Sequence, residues 1–386
     1  MTTPTSSPMR ILLFDMDSVL LTPRGYHLAL QETTRLIGRA LGFPDCAITQ
    51  REIDDFEAVG ITSEWETAAV FACLLLKTGW AAGFSMELPD VPPLPSAQPH
   101  TLPRPDLLGF LDRLPPATPG RRVLDDAAGL LLGDVEPESH EAKSIEHILA
   151  TCRRLDGSIV HWIFQELALG SPTFAESYGC APYLHAPSYL LEHDQSNLTP
   201  IVRSKLQTWL AQPRHGGAIF TNRPSSSLDG YFDTPEAELG RALVGLDELP
   251  IVGTGDLGWL ATTQGTDIGA YLKPSPVHAL AGLARAAGID RRSALEGALA
   301  VAEGSRIELF DRLAGSQVYV FEDSAKGLVS ASLAGSALSE IGIPMTVNPL
   351  GVTDLPAKRS RLNAHTLDIF PTLAEALAAV PGLLVP

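Results

Sequence analysis

Cysteine, positive charge and long apolar runs are all in short supply in this 386-residue chain. Its four cysteines (Cys46, Cys73, Cys152, Cys180) lie far apart and form no Cys-x-x-Cys. That excludes a disulfide framework and fits reduced, mostly buried thiols in a cytoplasmic protein. Lys and Arg total 28 against 45 Asp and Glu, a formal net charge of −17. So acidic a chain disfavours DNA or RNA as a partner, and attraction for an anionic substrate must be local. The apolar run at 68–76 is too short to span a bilayer, so no membrane partner is expected. Residues 1–8 read as a short polar lead without signal-peptide architecture. The ten histidines show no ligand spacing, and no internal repeat is evident. The hydrophobic share, 45%, is that of an ordinary globular protein, and the length suggests two domains.

Against this background Asp15-Met16-Asp17 is informative. It closes the apolar run Ile11-Leu12-Leu13-Phe14, which reads as a buried parallel strand. Ligands of open α/β sheets bind just past the carboxyl ends of strands, where these two acids sit. One acid could hold a metal and attack while the other moves a proton. The alternative is a strand-end turn in which Asp17 caps the next helix. Three later segments bear on the choice. Gly217-Ala218-Ile219-Phe220 ends in Thr221-Asn222-Arg223, and Lys273-Pro274 follows Tyr271-Leu272. Val318-Tyr319-Val320-Phe321 ends in Glu322-Asp323-Ser324, with Gly327 beyond. Each residue has a structural reading of its own: Thr221 and Asn222 as helix caps, Lys273 as a solvated lysine, Glu322-Asp323 as a favourable helix start.

The order acid pair, hydroxyl, lysine, acid pair resembles the four signature motifs of the haloacid dehalogenase-like (HAD) hydrolases. Asp15 and Asp17 match the first motif, Thr221 the second, Lys273 the third and Glu322-Asp323 the fourth. The resemblance implies a Mg²⁺-dependent phosphatase acting on a small phosphorylated metabolite through an aspartyl-phosphate. Asp15 would attack and bind metal; Asp17 would bind metal through its carbonyl and act as acid and base through its side chain. Asp323 would complete the metal ligands, with Glu322 in the first or second shell. Thr221 would hydrogen-bond the phosphoryl group and Lys273 would tie it to Asp15. Asn222 and Arg223 are candidate substrate contacts, Arg223 with an exposed loop arginine as its alternative. An acid at position 17 favours phosphoryl transfer over halide displacement, because a leaving alcohol needs a proton. Ser18 departs from the family's usual glycine, and a serine can fit if that position does not require φ > 0.

The resemblance also implies the architecture: a doubly wound parallel sheet at 1–21 and 205–386, interrupted by an inserted cap at 22–204. The cap is expected to be mainly helical, with helices near 26–41, 63–76, 124–133, 141–154, 158–168 and 199–211. Ser63 and Glu66 have the spacing of a capping box. The Pro-rich stretch 87–120 cannot be a regular helix or central strand, and reads as a connector or a polyproline excursion. Downstream, the pattern predicts strands at 217–220, 249–252, 318–321 and 344–348, alternating with helices near 234–244, 276–287, 325–334 and 373–379. An extra helix is expected within 288–315. Gly253-x-Gly255-x-x-Gly258 reads as a flexible turn rather than a dinucleotide site. Arg24, Tyr26, His27, Glu64 and Trp65 are candidate cap contacts to substrate, each with a core or surface alternative.

The Glu-Asp-Ser-x-x-Gly form of the fourth motif resembles the β-phosphoglucomutase-like branch, so a phosphomutase is the nearest alternative. A non-catalytic binding or regulatory protein on the same fold is the alternative from another class.

Overall fold

The computed structural model describes residues 8–44, 46–96, 102–115 and 122–384. The chain divides into two compact units, Met1–Pro23 with Asp194–Pro386, and Arg24–His193. The first is built on six parallel strands: β1 (Arg10–Phe14), β2 (His215–Phe220), β3 (Ile251–Val252), β4 (Gln317–Glu322), β5 (Thr346–Val352) and β6 (Ile369–Phe370). They lie in the order β3-β2-β1-β4-β5-β6, so the two halves diverge from β1. A crevice at the strands' carboxyl ends is the expected ligand site of such a sheet.

The apolar runs form buried strands because both faces of the sheet are covered. Ile11, Leu13, Ala218, Phe220, Val318 and Val320 pack with helices Thr254–Gln264, Pro276–Ala286, Arg291–Ala302 and Ala325–Glu340. Leu12, Phe14, Ile219, Tyr319 and Phe321 share the opposite core with Pro200–Leu210, Glu236–Val244 and Leu373–Ala378. Phe14 and Phe321 stack at 4.8 Å between centroids, locking β1 to β4 where the polar residues begin. The helix expected within 288–315 is Arg291–Ala302, and the one expected near 325–334 continues to Glu340. Short β6 was not expected; two residues carry no periodicity.

Two expectations are corrected here. The Gly253 pattern opens a regular helix, Thr254–Gln264, rather than a flexible turn. Its glycines serve close packing: a Cβ on Gly255 would lie 2.0 Å from the Ser225 carbonyl oxygen, and one on Gly258 2.3 Å from the Tyr231 ring. Helix Pro200–Leu210, expected with the insertion, belongs to the sheet unit, where Leu206 and Trp209 are buried in its core. The chain leaves and re-enters this unit through a two-stranded ribbon, Leu21–Thr22 against Gln195–Ser196. Asn197, in the Asn-x-Thr glycosylation pattern, uses its amide to tie this crossing: it accepts from Thr22 Oγ1 at 2.8 Å and donates to Val19 at 2.9 Å.

The second unit is helical throughout its described elements, from Gly25–Ala40 to Tyr189–His193. Tyr26, Trp65 and Phe164 form its aromatic centre. Buried His161 joins them, its imidazole pushed down to about 3 by burial and by Arg153. Tyr26 and Trp65 are therefore parts of this core, while His27 hydrogen-bonds Gln50 at 3.0 Å and lies 3.4 Å from Glu57. The helix Glu64–Ala81 begins where expected, but Ser63 makes no capping bond. The capping box is instead at Thr49 and Glu52, opening Gln50–Val59, a helix that sequence reading did not find. Within the Pro-rich stretch, Leu107–Leu111 forms one helical turn capped by Asp106, against expectation. Leu107, Phe110 and Leu111 of this turn are buried, and their burial outweighs the local proline content. Residues 97–101 and 116–120 of that stretch lie outside the described residues. Among the described residues, no single helix is long and apolar enough to cross a membrane.

Candidate active site

Strand ends assemble the site. Asp15 follows β1 directly, its amide donating to the Phe321 carbonyl of β4 at 2.9 Å, so its carboxyl group is delivered beside Glu322 and Asp323. Thr221 follows β2, its amide held by Val252 of β3 at 3.0 Å. Lys273 comes from the loop before Pro276–Ala286 and is buried. Its ammonium donates to Asp15 Oδ1 at 2.7 Å and to Glu322 Oε1 at 2.5 Å. It also lies 3.8 Å from the centroid of the Phe220 ring, a cation–π contact that helps a charge tolerate burial.

Glu322 is fully buried and fully engaged. Its second oxygen accepts from the Ser324 amide at 3.0 Å and the Ser324 hydroxyl at 2.9 Å. Ser324 in turn caps helix Ala325–Glu340. Carboxylate oxygens of Asp15, Glu322 and Asp323 all lie within 4.8 Å of one another. Lys358, from the segment after β5, forms an ion pair with Asp323. Burial, followed by the Glu322 charge, pushes the Asp15 carboxyl well above its ordinary value despite Lys273. Burial also raises Asp323 in spite of Lys358. For Lys273, burial works to lower the ammonium, but the charges of Asp15 and Glu322 and its hydrogen bonds to both outweigh it and hold the group above its ordinary value.

A second knot lies alongside. Arg223 is buried, and its guanidinium grips the Asp17 carboxylate with Nε at 2.9 and 3.0 Å and Nη2 at 2.5 Å. The same Nη2 donates to the buried Asp194 carboxylate at 2.9 Å. Thr221 Oγ1 accepts from the Arg223 amide at 3.2 Å, and Asn222 between them is exposed. The structure thus brings Asp15, Lys273, Glu322 and Asp323 into one cluster, and commits the side chains of Asp17 and Arg223 to each other.

Known proteins bear on the fold. No protein-family model matches the chain, and no curated protein matches it. A crystal structure known as Northeast Structural Genomics Consortium target ZR25 superposes with a TM-score of 0.64 at 14% identity, covering 97% of this chain and 99% of that one. The fold is shared. The phosphatase Tt82 from Thermococcus thioreducens gives a TM-score of 0.44 at 12% identity, over 88% of this chain and 92% of its own.

On this fold, two participants were invisible to sequence reading. Asp194 opens the returning segment and Lys358 follows β5; neither lies in a motif, and only the folded chain brings them to Arg223 and Asp323. Ser18 is a correction of another kind. Its φ is 63°, the left-handed region that the fit of a serine required it to avoid. Ser18→Gly is expected to stabilise the sheet unit by about 0.5–1 kcal/mol, the steric cost of a left-handed side chain less the extra freedom of an unfolded glycine. A higher urea midpoint checks this; an unchanged or lower one would show that the serine is held by contacts worth more than its strain. His278 is structural: its Nε2 lies 3.0 Å from the Val252 carbonyl, and burial, then Lys273, pushes the imidazole down to about 3.

The acid cluster also passes a test of fit for a hard divalent cation. Asp15, Glu322 and Asp323 gather three carboxyl groups around Lys273 and Lys358, so acidic oxygens outnumber the cations paired with them in this cluster. All candidate ligand atoms are carboxylate oxygens, the donors that Mg²⁺ prefers.

Proposed function

We propose that this chain is a Mg²⁺-dependent phosphatase of the HAD-like type, hydrolysing a small phosphate monoester through an aspartyl-phosphate on Asp15. The observation that carries the reading is the Lys273 ammonium bridging Asp15 and Glu322, with Asp323 beside them, at the carboxyl end of the central strand. Folding alone does not call for three carboxylates and a lysine in one buried cluster, since burying such charges costs more than burying apolar side chains of similar size.

In this reading Asp15 attacks the phosphorus atom, the bond to the ester oxygen breaks, and the leaving oxygen takes a proton. Water then attacks the phosphorus of the acyl phosphate, loses a proton, and releases inorganic phosphate from Asp15. Lys273 steers and neutralises the phosphoryl oxygens, and the Thr221 hydroxyl donates to one of them. Asp15 and Asp323 would hold Mg²⁺ together with the Asp17 carbonyl, with Glu322 behind them, held by Lys273 and Ser324. The ion would supply charge neutralisation, letting an anionic nucleophile meet an anionic ester. Proton transfer falls to Asp17, which must leave its two-point grip on Arg223 to reach the leaving oxygen.

The test is hydrolysis of an aryl phosphate with and without Mg²⁺, with Asp15→Asn as control. Mg²⁺-dependent turnover that falls by at least about 10³-fold in the variant is expected for loss of a nucleophile. Turnover that survives the substitution would overturn the assignment of Asp15.

A further inference from the structure

Two lysines serve the acid cluster, and they are held in different ways. The Lys273 side chain is 4% exposed and is bound on two sides, by Asp15 and by Glu322. The Lys358 side chain is 38% exposed and, among the described residues, makes one hydrogen bond, to Asp323 Oδ2. It also lines a cleft of about 370 Å³ beyond the carboxyl ends of β5 and β6, which gives its ammonium room to swing.

The short helix Pro356–Leu362 aims this lysine. Lys358 and Leu362 are four residues apart and share a helix face, and Leu362 is buried in the core of the sheet unit. That anchor turns Lys358 towards the strand ends, while Arg359, Ser360 and Arg361 stay exposed. At the other end of the pair, burial pushes the Asp323 carboxyl up, and Lys358 is the foremost influence against it. Asp323 is also one of the three carboxyl groups whose oxygens lie within 4.8 Å of one another.

A divalent cation drawn to those oxygens and the Lys358 ammonium therefore answer to the same carboxylate. Both are positive, so each weakens the hold of the other. The divalent ion carries twice the charge and gathers several oxygens at once, whereas Lys358 has a single bond to lose. An exposed ammonium gives up such a bond cheaply, because water replaces it. Lys273 has no such exit, since its departure would strand buried charges.

We infer that Lys358 is the built-in counter-ion of the metal site, a tethered monovalent cation that a divalent ion must displace from Asp323. The inference rests on the phosphatase reading and names a regulation of its site. Lys358 acts as a positioning residue: it steadies Asp323 without metal, lowers the affinity for the ion, and so keeps metal occupancy responsive to free Mg²⁺.

The experiment is Mg²⁺ titration calorimetry at pH 8 without substrate, on the parent, Lys358→Met, Lys358→Gln and Lys358→Arg. Met and Gln remove the charge and are expected to bind at least about tenfold tighter, the scale of one unit charge lost a few ångströms from a divalent ion. Gln keeps a donor for Asp323, so a gain in both variants identifies charge as the competitor. Arg keeps the charge and is expected to gain nothing. Without metal, the urea midpoints of Met and Gln should fall below the parent's, and saturating Mg²⁺ should restore them by mass action. Without an affinity gain in both, the inference is overturned and Lys358 is a plain support for Asp323. The phosphatase reading would then stand untouched, judged by Asp15→Asn. No heat and no Mg²⁺-dependent midpoint in any of the four proteins would overturn the inference together with the metal half of that reading.

Discussion

Replacing Lys273 with methionine is expected to cost about 3–5 kcal/mol of stability at neutral pH, the usual penalty for removing one partner of a buried ion pair. The side chain of Lys273 is buried, and it is the cation shared by Asp15 and Glu322. Methionine keeps much of the volume against Phe220, so the loss is of charge rather than packing. Three mutually close carboxyl groups would remain, with Lys358 paired to Asp323. The deficit is expected to depend on pH in a definite direction. The Asp15 and Asp323 carboxyls are already raised in the folded protein, and removing Lys273 raises Asp15 further. An acid raised on folding binds more protons in the folded state than in the unfolded state above its ordinary value, so stability rises as pH falls. The gap between variant and parent should therefore shrink from pH 8 to pH 5. Mg²⁺ should recover part of the loss, since an ion that binds only the folded cluster stabilises it by mass action. Urea unfolding at several pH values with and without Mg²⁺ measures all three effects. A gap that is constant across this range would mean that the acids are not coupled to Lys273 as the distances imply. Activity should fall by about 10²–10³-fold, the scale for removing one preorganised electrostatic group.

Gly327→Ala is expected to cut kcat/KM by about 10²-fold, although the site lies inside a helix where alanine is ordinarily favoured by roughly 1 kcal/mol. A Cβ at this position would sit 1.7 Å from Glu322 Oε1 and 2.0 Å from its carboxyl carbon. Elsewhere, the end of a flexible side chain could step aside. Here the carboxylate is pinned by Lys273, by the Ser324 amide and by the Ser324 hydroxyl. Moving it breaks the bridge to Asp15 and leaves a buried charge short of partners, a cost of about 1–3 kcal/mol. Kinetics on an aryl phosphate, alongside the urea midpoint, separate the two effects. A variant that is more stable and fully active would show that Glu322 can be displaced without consequence. The fourth motif's glycine is thus explained by the glutamate five positions before it.

Much of the fold was legible because the strands are short apolar runs, each bounded by polar residues. Ile11 to Phe14, Ala218 to Phe220 and Val318 to Phe321 bury both faces, and burial of that kind leaves an unmistakable composition. Helix Gln50–Val59 escaped sequence reading because it has few apolar residues: only Ile53 and Phe56 are buried there. The Gly253 segment was misread because its glycines look like breakers locally. Their purpose, admitting the Ser225 carbonyl and the Tyr231 ring, exists only between segments that the fold brings together. Ser63 has capping-box spacing but no capping bond, and Thr49 has both, which spacing alone could not distinguish.

The sequence by itself determined the strand cores, the order of their polar ends, and the residue types at those ends. Each of these is a local property, written in consecutive side chains. Tertiary structure decided the pairings that give the polar ends their electrostatics: Lys273 between Asp15 and Glu322, Lys358 on Asp323, and Arg223 between Asp17 and Asp194. It also decided the left-handed backbone at Ser18 and the cleft beside Lys358. Charges interact through space and are screened over roughly 10 Å of salt solution, so their partners are set by where strand ends meet, not by distance along the chain.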